Sequence, residues 1–466
     1  MDLNTHDLTQ GNIFEKLFKV AVPIMGTQLM QMLYNLTDMF WLGRTEQSVV
    51  AVAASGLAGM YIWLSAALMM FGRMGSEIGT SQNLGRGDAE RAQGYAQDST
   101  RIALILGIFY GLIMVVLTEP LVAFFRVDDQ NVFESTCVYL RIVGVGISLT
   151  YVSAAITGVF NGAGNSRLSF WANAVGLVVN MLLDPLMILV FGWGIKGAAI
   201  ATVIAQATVC VLFVLFIKKH PHRPFSQFRI LGRLDFSRIR WIVKWSLPVA
   251  LESGAFTALA MVVTTMVSAW YGETAVAVQR VGSQIESLSW LIGGGFASAV
   301  TAFVGQNYGA GKWSRIRKGY RISLFSLLAW EGIVTLILVF WGRYLFSLFL
   351  QDPPEILDMG ATYLRILAAC QLAMALEGAC SGTFRGMGKT LPPSLCSIAS
   401  NLMRPFLCWW LSRRMGLNGL WIGITVSAII RGLAMFIWYT IYERKLPQIA
   451  EMQEESRVST VVKHEG

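Results

Sequence analysis

Charge is what this sequence is short of. Only 14% of its 466 residues are Asp, Glu, Lys or Arg, against roughly a quarter in soluble domains. Cysteine is sparse too: Cys137, Cys210, Cys370, Cys380, Cys396 and Cys408 are scattered without a CxxC pair, which excludes a disulfide framework or a thiolate metal centre. The four histidines, His6, His220, His222 and His464, all lie outside the apolar runs. The first 16 residues are polar and acidic, so they lack the basic start and short apolar core of a cleaved signal peptide. The Gly-rich turns at 82–87 and 306–311 lack the Lys-Ser/Thr of a phosphate loop. No HExxH and no triad stands out. ATP use, enzyme activity and an organic cofactor are therefore not expected.

What is present is apolar length. Hydrophobic residues make up 55% of the chain, with mean hydropathy +0.55. The runs at 102–117, 198–217, 322–341 and 417–441 carry few or no charges. A bilayer takes about 20 such residues per helix, and barrel strands would alternate over about 10. The reading is all-α and integral to the membrane, with about twelve spans: 17–42, 50–81, 94–117, 133–160, 168–191, 196–217, 239–269, 274–306, 319–341, 356–384, 391–412 and 418–441. Lys and Arg collect in alternate connections, a roughly fourfold asymmetry that puts both termini in the cytoplasm. Net charge +9 is thus a topology signal and calls for no nucleic acid. The polar stretch 218–238 divides the chain into an N-terminal lobe, 1–217, and a C-terminal lobe, 239–441, followed by a cytoplasmic tail, 442–466.

The two lobes repeat each other. Gln82-Asn83-Leu84-Gly85 matches Gln306-Asn307-Tyr308-Gly309, Tyr139-Leu140-Arg141-Ile142 matches Tyr363-Leu364-Arg365-Ile366, and Gly158–Gly164 matches Gly382–Gly388, all in one register. Pro23 matches Pro248 with one residue inserted. Each half has an even number of spans, so the repeats are parallel, an arrangement common in secondary transporters.

Ionisable residues at lipid depth are expensive and mark function. In the first half these are Asp38 and Asp184, and Asp184 shares a helix face with Asn180 four residues earlier. Thr202 in the sixth span offers a further oxygen. This set suits a coupling cation, H⁺ or Na⁺, with no other metal implied. The bland alternative makes Asp38 a helix-end cap and Asp184-Pro185 a kink, which leaves two acids at lipid depth unexplained. Gln31 and Tyr34 lie on the stripe leading to Asp38 and are candidates for a cavity. In the second half Glu252, Glu377, Arg280 and Arg404 form a candidate site in which the arginines neutralise the glutamates; the rival reading is a second cation or substrate-charge site. Arg73 and Glu77, at i,i+4, are expected to pair. Pro23 and Pro248 are candidate hinges.

These residues resemble the MATE (multidrug and toxic compound extrusion) family over nearly the whole chain. The most specific stretch is 178–206, supported by Pro23 and the Asp38–Gly43 run, the two QNxGxG turns and the Gly-Thr-Phe-Arg-Gly run at 382–386. The resemblance implies twelve helices in two lobes forming a V. It implies export of amphipathic, often cationic, molecules in exchange for H⁺ or Na⁺ by alternating access. Cation residues matching Asp38, Asn180, Asp184 and Thr202 are implied, with Gln31 and Tyr34 in the substrate cavity and a bend at Pro23. Asn161, also a candidate for that cavity, departs from the family, which often has Arg there as the second half has Arg385. The expected protein is a monomer in a bacterial inner membrane. A flippase of the same superfamily, for lipid-linked or polar metabolites, is the alternative.

Overall fold

Twelve long helices account for nearly all of the structure, a computed structural model. It describes residues 7–42, 48–125, 127, 129–219, 223–225, 227–348 and 354–465, without the side chains at 34–36, 38–40, 48, 49, 52 and 446–465. The helices of the first half are α1 (Ile13–Leu42), α2 (Ser48–Gly85), α3 (Ala89–Val116), α4 (Gln130–Gly162), α5 (Ser166–Pro185) and α6 (Gly194–Lys219). Those of the second half are α7 (236–271), α8 (273–309), α9 (Trp313–Ser347), α10 (Pro354–Gly386), α11 (391–415) and α12 (417–465). No β-strand occurs among the described residues.

Two of the joins are single residues. Gly272 separates α7 from α8 with φ 77°, and Gly416 separates α11 from α12 with φ 60°. A residue with a Cβ is strained at such angles, and glycine is not. Both breaks fall in the gaps expected from hydropathy. Elsewhere the starts are capped: Asp88 accepts from the Arg91 amide at 2.9 Å to open α3, and Asp129 from Asn131 at 2.8 Å to open α4.

Large apolar side chains face outward in helical register. On α3 these are Ile105, Phe109, Leu112 and Val116, and on α9 Ile333, Leu336 and Phe340. In water such stripes would drive aggregation; in a bilayer they are the solvent-facing surface.

The chain packs as two compact units. The first contains Phe18–Leu84 and Asp88–Thr257; the second contains Leu8–Leu17, Gly85–Gly87 and Ala258–Gly466. In the first, Phe160 stacks on Phe213 with centroids 5.8 Å apart. In the second, the fully buried Trp421 meets Tyr363 edge-on at 5.1 Å, and the Tyr363 hydroxyl bonds Ser283 at 3.0 Å.

The sequence repeat is also a packing repeat. A Cβ on Gly158 of α4 would lie 2.5 Å from the Arg73 carbonyl of α2, and one on Gly162 would lie 2.6 Å from that of Glu77. In the second unit Gly382 of α10 would meet the Ala297 carbonyl of α8 at 2.6 Å, and Gly386 that of Thr301 at 2.7 Å. Each pair of helices approaches to backbone contact because only hydrogen stands between them. Arg73 and Ala297 are thus equivalent positions, as are Glu77 and Thr301.

Each unit also binds one extended segment. In the first, Arg101 donates to the carbonyls of Arg229, Ile230 and Arg233 at 3.2, 3.1 and 2.7 Å. Asp98, fully buried, bridges Arg101 at 2.8 Å and Arg238 at 2.6 Å. In the second, Arg315 donates to the carbonyls of Leu8 and Gly11 at 3.1 and 2.9 Å, and Asn307 to that of Leu8 at 3.2 Å.

Candidate functional site

On α5, Asn180 and Asp184 share one helix face and meet. Asn180 Nδ2 donates to Asp184 Oδ1 at 3.1 Å, and neither residue is exposed. Helical spacing sets this contact, since residues four apart stack on one face. Asn180 Oδ1 accepts no hydrogen bond among the described residues. After Pro185 the helix widens into a π-turn, Leu186–Val190. Proline has no N–H to return to the Met181 carbonyl, so the ladder is rebuilt with a longer register. Thr202 on α6 is half-buried. Asp38 belongs to helical α1, but its side chain and that of Tyr34 lie outside the described residues. α1 and α7 run on through Pro23 and Pro248, and the Pro23 carbonyl accepts from Thr27 Oγ1 at 3.0 Å.

A polar cavity lies in the same unit. α1 contributes Gln28 and Gln31, α2 contributes Arg73, α4 contributes Asn161, and α5 contributes Ser169 and Asn173. The open space is ≈ 590 Å³, counting the part continuous with solvent. Asn161 is 1% exposed, and among the described residues neither its amide nitrogen nor its amide oxygen is hydrogen-bonded; Ser169 Oγ, equally buried, is unbonded there too. Buried polar atoms are almost always satisfied, so these belong to a site that water or a ligand fills. Gln31 and Asn161, picked out in the sequence, line this one cavity.

Arg73 does not behave as its spacing suggests. Among the described residues no carboxylate lies within ion-pair distance of it, and its Nε makes no hydrogen bond. The α2 backbone explains this: Glu77 lies where α4 crosses at Gly162, fully buried, while Arg73 opens onto the cavity.

The second-half candidates are dispersed. Glu252 belongs to the first compact unit, and Glu377, Arg280 and Arg404 to the second. Arg280 is exposed, not buried. Arg404, 8% exposed, donates from Nε to Ser427 Oγ at 3.0 Å. Glu377 pairs with Arg431, on α12, at 2.8 Å, with the Nε–H not aimed along the contact. No local motif links positions 377 and 431, so spacing alone does not find this pair.

A further polar chain in the second unit escapes the sequence reading. Gln371 Nε2 donates to Glu286 Oε1 at 3.1 Å, Ser289 Oγ lies 3.0 Å from Gln371 Oε1, and Ser289 also bonds Glu331. Ser289, Glu331 and Gln371 are all buried. The signal was available: Glu331 is an acid inside the apolar run 322–341, the same mark that picks out Asp184.

With this geometry in view, the chain matches the MatE family model twice, over residues 23–186 and 248–410. The chain belongs to the MatE family. The double match falls on the two repeats. Among curated MatE-type relatives, a probable multidrug resistance protein NorM of Thermotoga maritima is 26% identical, aligned over 92% of each chain. An FAD transporter of Shewanella oneidensis is 25% identical over 92% of this chain and 95% of its own. Among solved structures, the outward-facing form of a multidrug resistance MATE family transporter superimposes with TM-score 0.88 at 22% identity, covering 96% of this chain and 99% of the other. The protein is thus a multi-pass membrane transporter of the MATE type.

Proposed function

We propose that this chain is a secondary exporter that exchanges small organic molecules for H⁺ or Na⁺ by alternating access. The observation that carries the reading is the fully buried Asn180–Asp184 pair, in the same compact unit as a polar cavity with unsatisfied amides. An ionised carboxylate at lipid depth needs a compensating partner. The Asn180 amide supports the carboxylate, and a proton or a sodium ion neutralises its charge. Asp38 and Thr202 supply further oxygens to this proposed cation set, and Pro23 and Pro248 serve as hinges.

In this mechanism cation entry neutralises Asp184, which removes the cost of carrying a charge through the membrane. Cation release restores that cost and drives the reverse step. An occupant that binds the two lobe arrangements unequally shifts the balance between them. The flippase alternative would need an opening wide enough for a lipid-linked headgroup. The termini are assigned to the cytoplasm and the chain to a bacterial inner membrane on the strength of the Lys/Arg asymmetry and the relatives' bacterial sources.

The test is substrate release from liposomes carrying the full chain, under separately imposed pH and Na⁺ gradients. Asp184→Asn is expected to lower gradient-driven release by about tenfold or more while substrate binding persists. Release by Asp184→Asn that still follows the gradient at wild-type rate sinks the proposal.

A further inference from the structure

We infer that the first-unit cavity selects organic anions, molecules carrying a carboxylate or a phosphate, with Arg73 as the residue that receives the charge. The inference rests on the exporter reading and departs from the organic cations that family resemblance implies.

Arg73 is the one ionisable side chain among the described residues lining the cavity. Its guanidinium has no carboxylate within ion-pair distance among the described residues, and its Nε is buried without a hydrogen bond. An arginine in a membrane lobe ordinarily pairs with an acid or faces water. Arg73, with no acid in reach among the described residues and open to a polar cavity, is placed to meet an anion there. Guanidinium recognises carboxylate and phosphate through parallel N–H donors, and such charge-assisted bonds are the strong ones.

The repeat gives an internal control. The α2–α4 crossing at Gly158 recurs as the α8–α10 crossing at Gly382, and there Arg73 is replaced by Ala297. The same backbone packing is achieved with a methyl group, so the packing does not require the guanidinium. The neighbouring lining differs in the same way. By the Pro23–Pro248 register, Gln28 and Gln31 correspond to Ser253 and Phe256, and by the Gly158–Gly382 register Ser169 corresponds to Pro393. Gln31 and Ser169 thus meet apolar residues at their second-half positions, as expected of a binding surface and not of a scaffold.

The remaining groups define the rest of the ligand. Gln28, Gln31, Asn161 and Gln206 each offer an N–H pair and a carbonyl, and Ser169 offers a hydroxyl. Asn173 commits one N–H to the Ser169 carbonyl at 2.8 Å. A flat, apolar cation would leave these dipoles unsatisfied and set its charge against Arg73. An acceptor-rich anion satisfies both. Ile24, Met69 and Ala154 supply an apolar wall for a small hydrocarbon or ring portion.

Two measurements test this, and they fail separately from the exporter reading. In the first, equilibrium dialysis compares binding of flavin mononucleotide (a phosphate), carboxyfluorescein (a carboxylate) and ethidium (a cation) to the full-length protein in detergent. At least one anion is expected to bind, with ethidium at least about tenfold weaker. Arg73→Gln should weaken anion binding about tenfold, and Arg73→Lys should restore most of it. Asn161→Asp, which adds a negative charge to the same wall, should abolish anion binding and serves if Arg73→Gln does not fold. Ethidium binding in preference to both anions overturns the inference, as does anion binding indifferent to Arg73→Gln and Asn161→Asp. In the second, release of the same three probes from liposomes is followed under H⁺ and Na⁺ gradients. Anion binding without gradient-driven release overturns the exporter reading and leaves the anion assignment standing; gradient-driven release of ethidium alone does the reverse.

Discussion

Asp235 caps α7 from the linker side. Its Oδ1 accepts from the Ser237 hydroxyl at 2.7 Å and the Ser237 amide at 2.9 Å, and Oδ2 lies 3.2 Å from Arg238. These bonds, the Ser237 hydroxyl first, favour the charged form and hold the carboxyl below its usual 3.8. The cap is therefore complete above the unfolded-state pKa and is lost as pH falls through the lower, folded value. Amide hydrogen exchange at the first turn of α7 should rise on acidification in the wild type. Asp235→Asn, which keeps an acceptor but cannot titrate, should show a flat profile across that window. At the same scale, the spacing of Asn180 and Asp184 was readable because helical geometry alone joins them. The Glu377–Arg431 pair was not readable, because two helices distant in sequence had to be brought together first. Its strength is measurable: Arg431→Met should lower stability by about 3–5 kcal/mol, and adding Glu377→Gln should recover much of that. Equal melting temperatures for wild type and Arg431→Met would show the pair to be idle.

Among the helices, hydropathy located the spans, and Gly272 and Gly416 fall in the gaps it left. It did not reveal the π-turn after Pro185, since that depends on how a broken hydrogen-bond ladder is repaired and not on apolar content. Nor did it reveal the assignment of Glu252, on the early part of α7, to the first compact unit; a linear boundary at the linker has no way to express a helix whose two ends pack in different bodies. The glycine pairs are where sequence identity and contact geometry agree most closely. Gly162→Val and Gly386→Val each push a side chain into a facing carbonyl. Both should destabilise by about 1–3 kcal/mol, the range for overpacking, read as a lower melting temperature in detergent. A variant that melts with the wild type would mean the helices separate there without penalty.

Across the whole molecule, the duplication, the all-helical class and the family were legible, because each is written many times over in the chain. The cavity was legible only in outline. Gln31 and Asn161 were named, but Arg73 was assigned to Glu77 because i,i+4 spacing carries no information about a crossing helix. Orientation is open to direct measurement. Single cysteines placed at Gln227 and at Thr9 in a background free of the native six should react with a membrane-impermeant maleimide from one and the same side, the side of the termini, and only after the membrane is permeabilised in intact cells. Labelling of either position in sealed cells would invert the assignment.

The one-residue joins at Gly272 and Gly416 have a practical corollary. With a single peptide unit between successive membrane crossings, there is almost no chain for an antibody, a protease or a sugar to grasp. Epitope insertions at these points will be the least tolerated in the protein. A binder raised against either join will have to recognise the helix ends themselves.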